Sequence, residues 1–344
     1  MSMETLTWLN QNVLVGFVEN RGKAWHYDEA SQGTEPNHYQ GAIPVADVKR
    51  RLFYWTATEG ALKARVKIAG KWRTVTVDNK KALSHPETGE VFAVVGKTFP
   101  VHDYSKWLID NFKKILDAGD GDLGIGSAGL LKGGGQAWVQ LELPESVEGP
   151  GGIVHRPYLT GSAVYDASRV STYSTGSQVA VCDNTLSAAL AGAWDTIKYA
   201  HRPGIEMKPQ DVRDALKVLH ANTKAVNAEL DAMLNVPVSD AQWDKFIEAH
   251  IGKPRPFEAG RGQTNWDNTH DELTAIYRHS PMAAPWAGTM WGAFQAVSTW
   301  RHHNKVAKNV AGGRAERNLI SRVDGTNDKE DAEVLTKLRA VLAA

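Results

Sequence analysis

The chain has 344 residues, 42% hydrophobic and 23% charged, the balance of an ordinary globular protein. That excludes a disordered chain, a fibrous protein and a coiled-coil rod. Lys and Arg number 39 and so do Asp and Glu, which excludes a globally basic nucleic-acid coat protein but not a local basic patch.

At roughly 150 residues per domain, two domains are expected. A single cysteine, Cys182, excludes a disulfide framework and any multi-cysteine metal or iron–sulfur site, and it fits a reducing cytoplasm. Beside Val179 and Val181 it reads as a buried structural thiol. The opening MSMETLTWLN has no basic or apolar signal region, and no apolar run approaches the ~20 residues that cross a bilayer. A soluble protein of the cytoplasm, with no membrane partner, is the expectation.

Residues 1–40 read as polar and turn-rich, with a strand only near Val13–Val18. Pro44 opens a helix carrying Val45, Val48 and Leu52. Leu62–Ile68 and Trp72–Val77 are strand-like and rich in β-branched residues, joined at Ala69-Gly70-Lys71 as a hairpin. Glu90–Val95 is a further strand. Tyr104, Trp107, Leu108, Phe112, Ile115 and Leu116 recur at helical spacing. An Asp/Gly-rich loop is expected over Ala118–Gly129, then a half-buried strand over Gln136–Leu143. Strands follow at Tyr158–Tyr165, Arg169–Ser174 and Gln178–Cys182. Asn184 caps a helix with Leu186, Leu190, Trp194 and Ile197.

Near residue 200 the pattern changes to 3.6-residue stripes. Pro209 opens a long helix, Ser239 and Gln242 form a capping-box pair, and Gly252–Gly262 reads as a linker. Helices are expected over Trp286–Val310 and Glu330–Leu342. The fold class is therefore α+β: an antiparallel sheet with hairpins and packed helices over 1–200, and an all-α part over 201–344.

Gly124-Ile-Gly126-Ser-Ala-Gly129 spells G-x-G-x-x-G, but no strand–turn–helix context surrounds it, so a nucleotide site is not expected. The histidines form no metal pattern, and no P-loop, nucleophile elbow or paired-carboxylate motif is present. No catalytic residue, cofactor or metal is assigned. Asp120, Asp122 and His270 are the residues a metal-dependent nuclease would have to use.

The dominant feature is charge. Residues 49–81 hold ten basic side chains against Glu59 and Asp78, a net +8 in a neutral protein. Lys63, Arg65 and Lys67 alternate with Ala64, Val66 and Ile68, which puts three cations on one sheet face. Lys71, Trp72 and Arg73 lie across the turn, with Lys80 and Lys81 beyond. A cationic strand face tracks phosphates, and an aromatic side chain stacks unpaired bases. A second basic stretch holds Arg301, Lys305, Lys308, Arg314 and Arg317. Its alternative reading is a polar helix end compensated by the acidic residues Asp324, Asp328, Glu330, Asp331 and Glu333.

Several segments carry a resemblance. Ala24-Trp25-His26, Gly41-Ala-Ile-Pro-Val45 with Arg51-Leu-Phe53, Tyr104-Ser-Lys-Trp-Leu108 and Ala128-Gly-Leu-Leu-Lys-Gly-Gly134 with Trp138 are four of them. Val181-Cys-Asp-Asn-Thr-Leu186 and Gly288-Thr-Met-Trp-Gly-Ala-Phe-Gln-Ala-Val297 complete the set. Together they resemble the phage/plasmid-like proteins grouped as domain of unknown function 932, in an actinobacteriophage branch. The family often has an Arg before its Val-Cys strand, where this chain has Val179 or Ala180. Membership implies phage, prophage or plasmid origin in a bacterial cytoplasm and supplies no activity. The order of elements looks similar to the β-β-β-α cores of single-strand annealing proteins of the RecT and Rad-type superfamily.

The leading expectation is a recombination or replication accessory protein that binds single-stranded DNA and anneals complements, as a homo-oligomeric ring or filament. The alternatives are an interaction protein acting on a host factor without DNA affinity, and the metal-dependent nuclease.

Overall fold

The computed structural model describes residues 3–22, 35–118, 123–179, 185–186, 197–199, 209–252, 260–306 and 312–344. By contacts the chain forms two compact units, residues 1–144, 158–175 and 195–218, and residues 145–157, 176–194 and 219–344.

In the first unit, helix α1 (Met3–Asn12) leads into strand β1 (Val13–Val15), and a short α2 (Val18–Arg21) follows. Both helices fall where the sequence predicts only turns and a strand. The Asn37 side-chain amide donates to the Leu9 and Val13 carbonyls, tying the α1–β1 junction down from a distant loop. α3 (Val45–Arg51) begins directly after Pro44, whose φ of −60° is already set for the helix, and buries Val48. A three-stranded antiparallel sheet follows, β2 (Thr58–Ile68), β3 (Lys71–Ser84) and β4 (Val91–Gly96), in that order. A π-helical stretch over Ser105–Asp110 then runs into α4 (Asn111–Ala118).

The remaining strands are β5 (Gly124–Leu131), β6 (Gln136–Glu142), β7 (Val147–Glu148), β8 (Val154–Val164), β9 (Ser171–Val179), β10 (Thr185–Leu186) and β11 (Ile197–Tyr199). Within the first unit the order is β1-β5-β6-β8-β9, with β11 on β9. One face carries Ile125, Ala128, Val139, Leu141, Leu159 and Ala163, which share a core with Trp107, Leu108, Phe112 and Ile115. The other face carries polar side chains that are also buried. The Gln140 amide donates to Glu142 Oε1 at 2.8 Å, and the Thr160 hydroxyl donates to Gln140 Oε1 at 3.2 Å. β6 is thus buried along its whole length, where alternation predicted a half-buried strand. The polar positions are tolerated inside because they bond one another.

The expected glycine loop is also corrected. Gly124–Gly129 is strand β5, paired with β6, so its backbone serves the ladder and forms no phosphate cradle. Its glycines make room for large neighbours. A Cβ on Gly129 would lie 2.6 Å from the Asn12 carbonyl oxygen and inside the contact distance of the Trp138 indole. One on Gly126 would lie 2.7 Å from Glu142 Cγ.

β11 and β10 revise the helix expected after Asn184. Ile197 pairs with Tyr173, and Leu186 with Ser177, both on β9. Leu190 and Trp194 lie outside the described residues. Thr185, Ile197 and Tyr199 are residue types that suit a pleated surface, and an available strand edge decides the outcome.

From residue 209 the described residues are helical: α5 (Pro209–Leu234), α6 (Asp240–Ile251), α7 (Arg261–His279), α8 (Met290–Thr299) with a π-helical extension over Trp300–Asn304, α9 (Gly313–Val323) and α10 (Thr326–Leu342). The capping box at α6 is present. The Gln242 amide N–H donates to Ser239 Oγ at 3.3 Å, and the Ser239 N–H donates to Gln242 Oε1 at 3.0 Å. The second unit's core gathers Trp243, Phe246, Tyr277, Trp291, Phe294 and Leu335. The only strand-like contact after residue 209, among the described residues, is an isolated bridge between Pro237 and Thr289. The class is α+β, with antiparallel sheets in the N-terminal half and helices in the C-terminal part. No helix among the described residues is long and apolar enough to cross a membrane.

Candidate nucleic-acid interface

The basic hairpin is β2 and β3. Its turn is two residues, Ala69 (φ 48°) and Gly70 (φ 80°), both left-handed, which matches the twist of the flanking strands. Ile68 therefore pairs with Lys71, Lys67 with Trp72, Arg65 with Thr74 and Lys63 with Thr76. β4 pairs only with Lys80–Ser84, so the stretch from Lys63 to Thr76 is a two-stranded ribbon.

Directly opposed residues in an antiparallel pair project from the same face. One face of the ribbon thus carries Lys63, Arg65, Lys67, Trp72, Thr74 and Thr76. The other carries Ala64, Val66, Ile68 and Val75 together with Lys71 and Arg73. Lys71 and Arg73 flank Trp72 in sequence, but the register separates them from it.

The first face is exposed throughout, and Trp72 is 60% exposed. The Arg65 guanidinium lies 5.6 Å from the Trp72 ring centroid, a diagonal cation–π contact. No carboxylate occurs between residues 60 and 77. Among the described residues none of Lys63, Arg65, Lys67, Lys71, Arg73 and Lys80 forms an ion pair. Lys81 is different: its ammonium lies 2.7 Å from Glu59 and its side chain is only 12% exposed.

The basic residues at the end of α3 are also committed. Lys49 pairs with Asp110 at 2.9 Å, Arg50 with Glu35 and Asp47, and Arg51 with Glu35 at 3.7 Å. The Arg50 hydrogen bond holds the Glu35 carboxyl below its usual range. The charge excess over 49–81 therefore concentrates on the ribbon.

The second basic stretch is differently placed. Arg301 is buried against Asp331, with Glu330 at 3.4 Å. Arg314 donates to the His303 and Asn304 carbonyls, and Arg317 to the carbonyls of Arg301 at 2.7 Å and Lys305 at 2.8 Å. These guanidiniums satisfy carbonyls that the ending helix leaves open. Lys305 lies 5.9 Å from the Trp300 ring centroid, and Lys308 is outside the described residues. Of the acidic tail, Asp331 and Glu330 pair with Arg301.

Asp328 sits in the first turn of α10 within that charged cluster. Burial, and then the carboxylates of Asp331 and Asp324, push its pKa from 3.8 up to about 7 against the pull of Arg301. A raised folded-state pKa means that the ionised form costs folding energy as pH climbs through the window from about 4 to 7. Asp328→Asn is expected to match the parent below pH 4 and to exceed its stability at pH 8, by at most about 4 kcal/mol. Urea unfolding of both chains at the two pH values checks this. Equal gains at both would remove the ionisation from the account.

Of the three residues a nuclease would have to use, only His270 lies among the described residues. His270 stacks on Trp266 with centroids 5.1 Å apart and lies 3.9 Å from Asp244 and 3.5 Å from Asp271. Asp120, Asp122 and Cys182 lie outside the described residues. Among the described residues no group of three or more His, Cys, Asp or Glu side chains is placed to hold a metal ion.

No curated protein and no solved structure matches the chain. A family model described as Domain of unknown function (DUF932) matches residues 91–323. The matched span begins at β4 and ends with α9, so β2 and β3 lie outside it. It includes the segments at Tyr104, Ala128, Val181 and Gly288 that carried the resemblance, and it covers well over half the sequence: the chain belongs to the DUF932 family.

Proposed function

We propose that this protein, of phage or plasmid descent and working in a bacterial cytoplasm, binds single-stranded DNA through its β2–β3 ribbon and promotes annealing of complementary strands as a homo-oligomer. The observation that carries this reading is one exposed ribbon face on a neutral chain, with an exposed indole and three cations that form no ion pair among the described residues. Cations neutralise phosphates without reading sequence, and Trp72 offers a stacking surface that only an unpaired base can reach. Annealing needs no nucleotide hydrolysis and no catalytic group, so a phosphate-binding loop is not required.

The test is a titration of the full chain with single- and double-stranded DNA at two salt concentrations. Tighter binding to single strands is expected, with affinity falling as salt rises. Trp72→Ala should cost about 1–3 kcal/mol of single-strand affinity while leaving the salt dependence as it was. Trp72 is a surface residue, so circular dichroism of the variant should match the parent. Absence of DNA affinity would move the interaction-protein reading ahead, with the ribbon as a protein-docking face.

A further inference from the structure

The strand register says more about the ligand than charge alone does. Resting on the reading that the ribbon binds DNA, we propose that it takes one extended single strand, along one face only. The repeat is one nucleotide per two residues of β2: consecutive phosphates lie on Lys63, Arg65 and Lys67, and the base beside Lys67 stacks on Trp72.

The spacing supports this. Lys63, Arg65 and Lys67 point the same way at every second residue, a repeat of about 6.6–6.8 Å. The backbone of one stretched nucleotide covers about that distance. In a B-form duplex each strand winds about the helix axis, so its phosphates curve away from a straight row, whereas an extended single strand can follow the row along its whole length. The indole beside the row adds the second distinction, because a duplex keeps its bases paired inside and a single strand can offer one for stacking.

The second ribbon strand completes the face. Thr76 and Thr74 stand opposite Lys63 and Arg65, so hydroxyl donors lie beside the first two phosphate positions. Trp72 stands opposite Lys67, so the indole lies beside the third. Arg65 rests on the indole from the diagonal position, and a stacking base would displace its guanidinium toward a phosphate. The reverse face has a different character: Ala64, Val66 and Val75 are half-buried there, and Lys71 and Arg73 flank the exposed Ile68. In this assignment they do not touch the strand.

The experiment uses the full chain, oligo-dT of increasing length and two variants, both confined to exposed ribbon positions. Affinity should climb steeply to about four nucleotides, which supply three bridging phosphates, then level off until the strand is long enough to reach the ribbon of a neighbouring protomer. Lys63→Ala/Arg65→Ala/Lys67→Ala should flatten the slope of log K against log salt by about two units, at roughly 0.7 per lost contact. Lys71→Ala/Arg73→Ala should change it by less than one contact's worth. If the parent binds oligo-dT but Lys71→Ala/Arg73→Ala flattens the slope as much as the triple variant does, the one-face ladder is wrong while DNA binding stands. A climb with no break near four nucleotides overturns the ladder in the same way. A parent with no affinity for oligo-dT overturns the ladder and the proposed function together.

Discussion

Gly129→Ala is expected to destabilise the first unit by about 2–4 kcal/mol, although it adds a single methyl group. The new Cβ would lie 2.6 Å from the Asn12 carbonyl oxygen and against the Trp138 indole. Trp138 is fully buried in a strand paired on both sides, and Asn12 ends α1, so neither neighbour moves cheaply. The midpoint of thermal unfolding should fall by roughly 5–10 °C. Gly41→Ala is the matched control. Nothing lies within 4 Å of the added methyl there, and its backbone is not left-handed. Its stability should stay within about 1 kcal/mol of the parent, on the stabilising side. A Gly129→Ala chain as stable as the parent would show that β5 and β6 do not pair with Gly129 opposite Trp138.

The second large effect is expected at the buried ion pair of the helical unit. Asp331 has no exposed surface and Arg301 very little, so each charge depends on internal partners. Arg301→Met leaves the Asp331 carboxylate without its guanidinium and should cost about 3–5 kcal/mol. The double substitution Arg301→Met/Asp331→Leu removes both charges and should recover much of that loss, because the penalty lies in the stranded charge. Urea unfolding midpoints of the three chains test the point. If the double variant is as unstable as the single one, the pair's packing rather than its charge supplies the stability.

Neither of these two sites is readable in the sequence, whereas most of the helices and the hairpin are. Amphipathic stripes made α5, α8 and α10 legible, because 3.6-residue apolar spacing is a local signal, although the stripe through Leu186 and Ile197 gave way to strand pairing with β9. The hairpin was legible for the same kind of reason: β-branched runs, period-two cations and a glycine turn are local signals. Even the capping pair Ser239 and Gln242 needed nothing beyond three residues of separation. Helix α7 escaped because its first half is polar, and only Leu273, Ile276 and Tyr277 near its end reach the core.

What tertiary structure alone decided depends on partners far along the chain. Gly124–Gly129 looks like a flexible loop until β6 lies beside it, when each glycine is seen to clear a large side chain. Gln140 and Glu142 look like solvent positions until Thr160 and one another satisfy them inside the sheet. Arg301, Arg314 and Arg317 look like a free basic patch until Asp331 and the carbonyls ending the π-helical turn claim their guanidiniums. The ribbon stands between the two cases. Its charge and period were present in the sequence, whereas the two-residue turn at Ala69-Gly70 set the register that joins Trp72 to Lys63, Arg65 and Lys67 and sends Lys71 and Arg73 to the other side. Local periodicity is a property of neighbouring residues, so it can be read from the sequence. Burial, pairing and neutralisation belong to residues that only folding brings together.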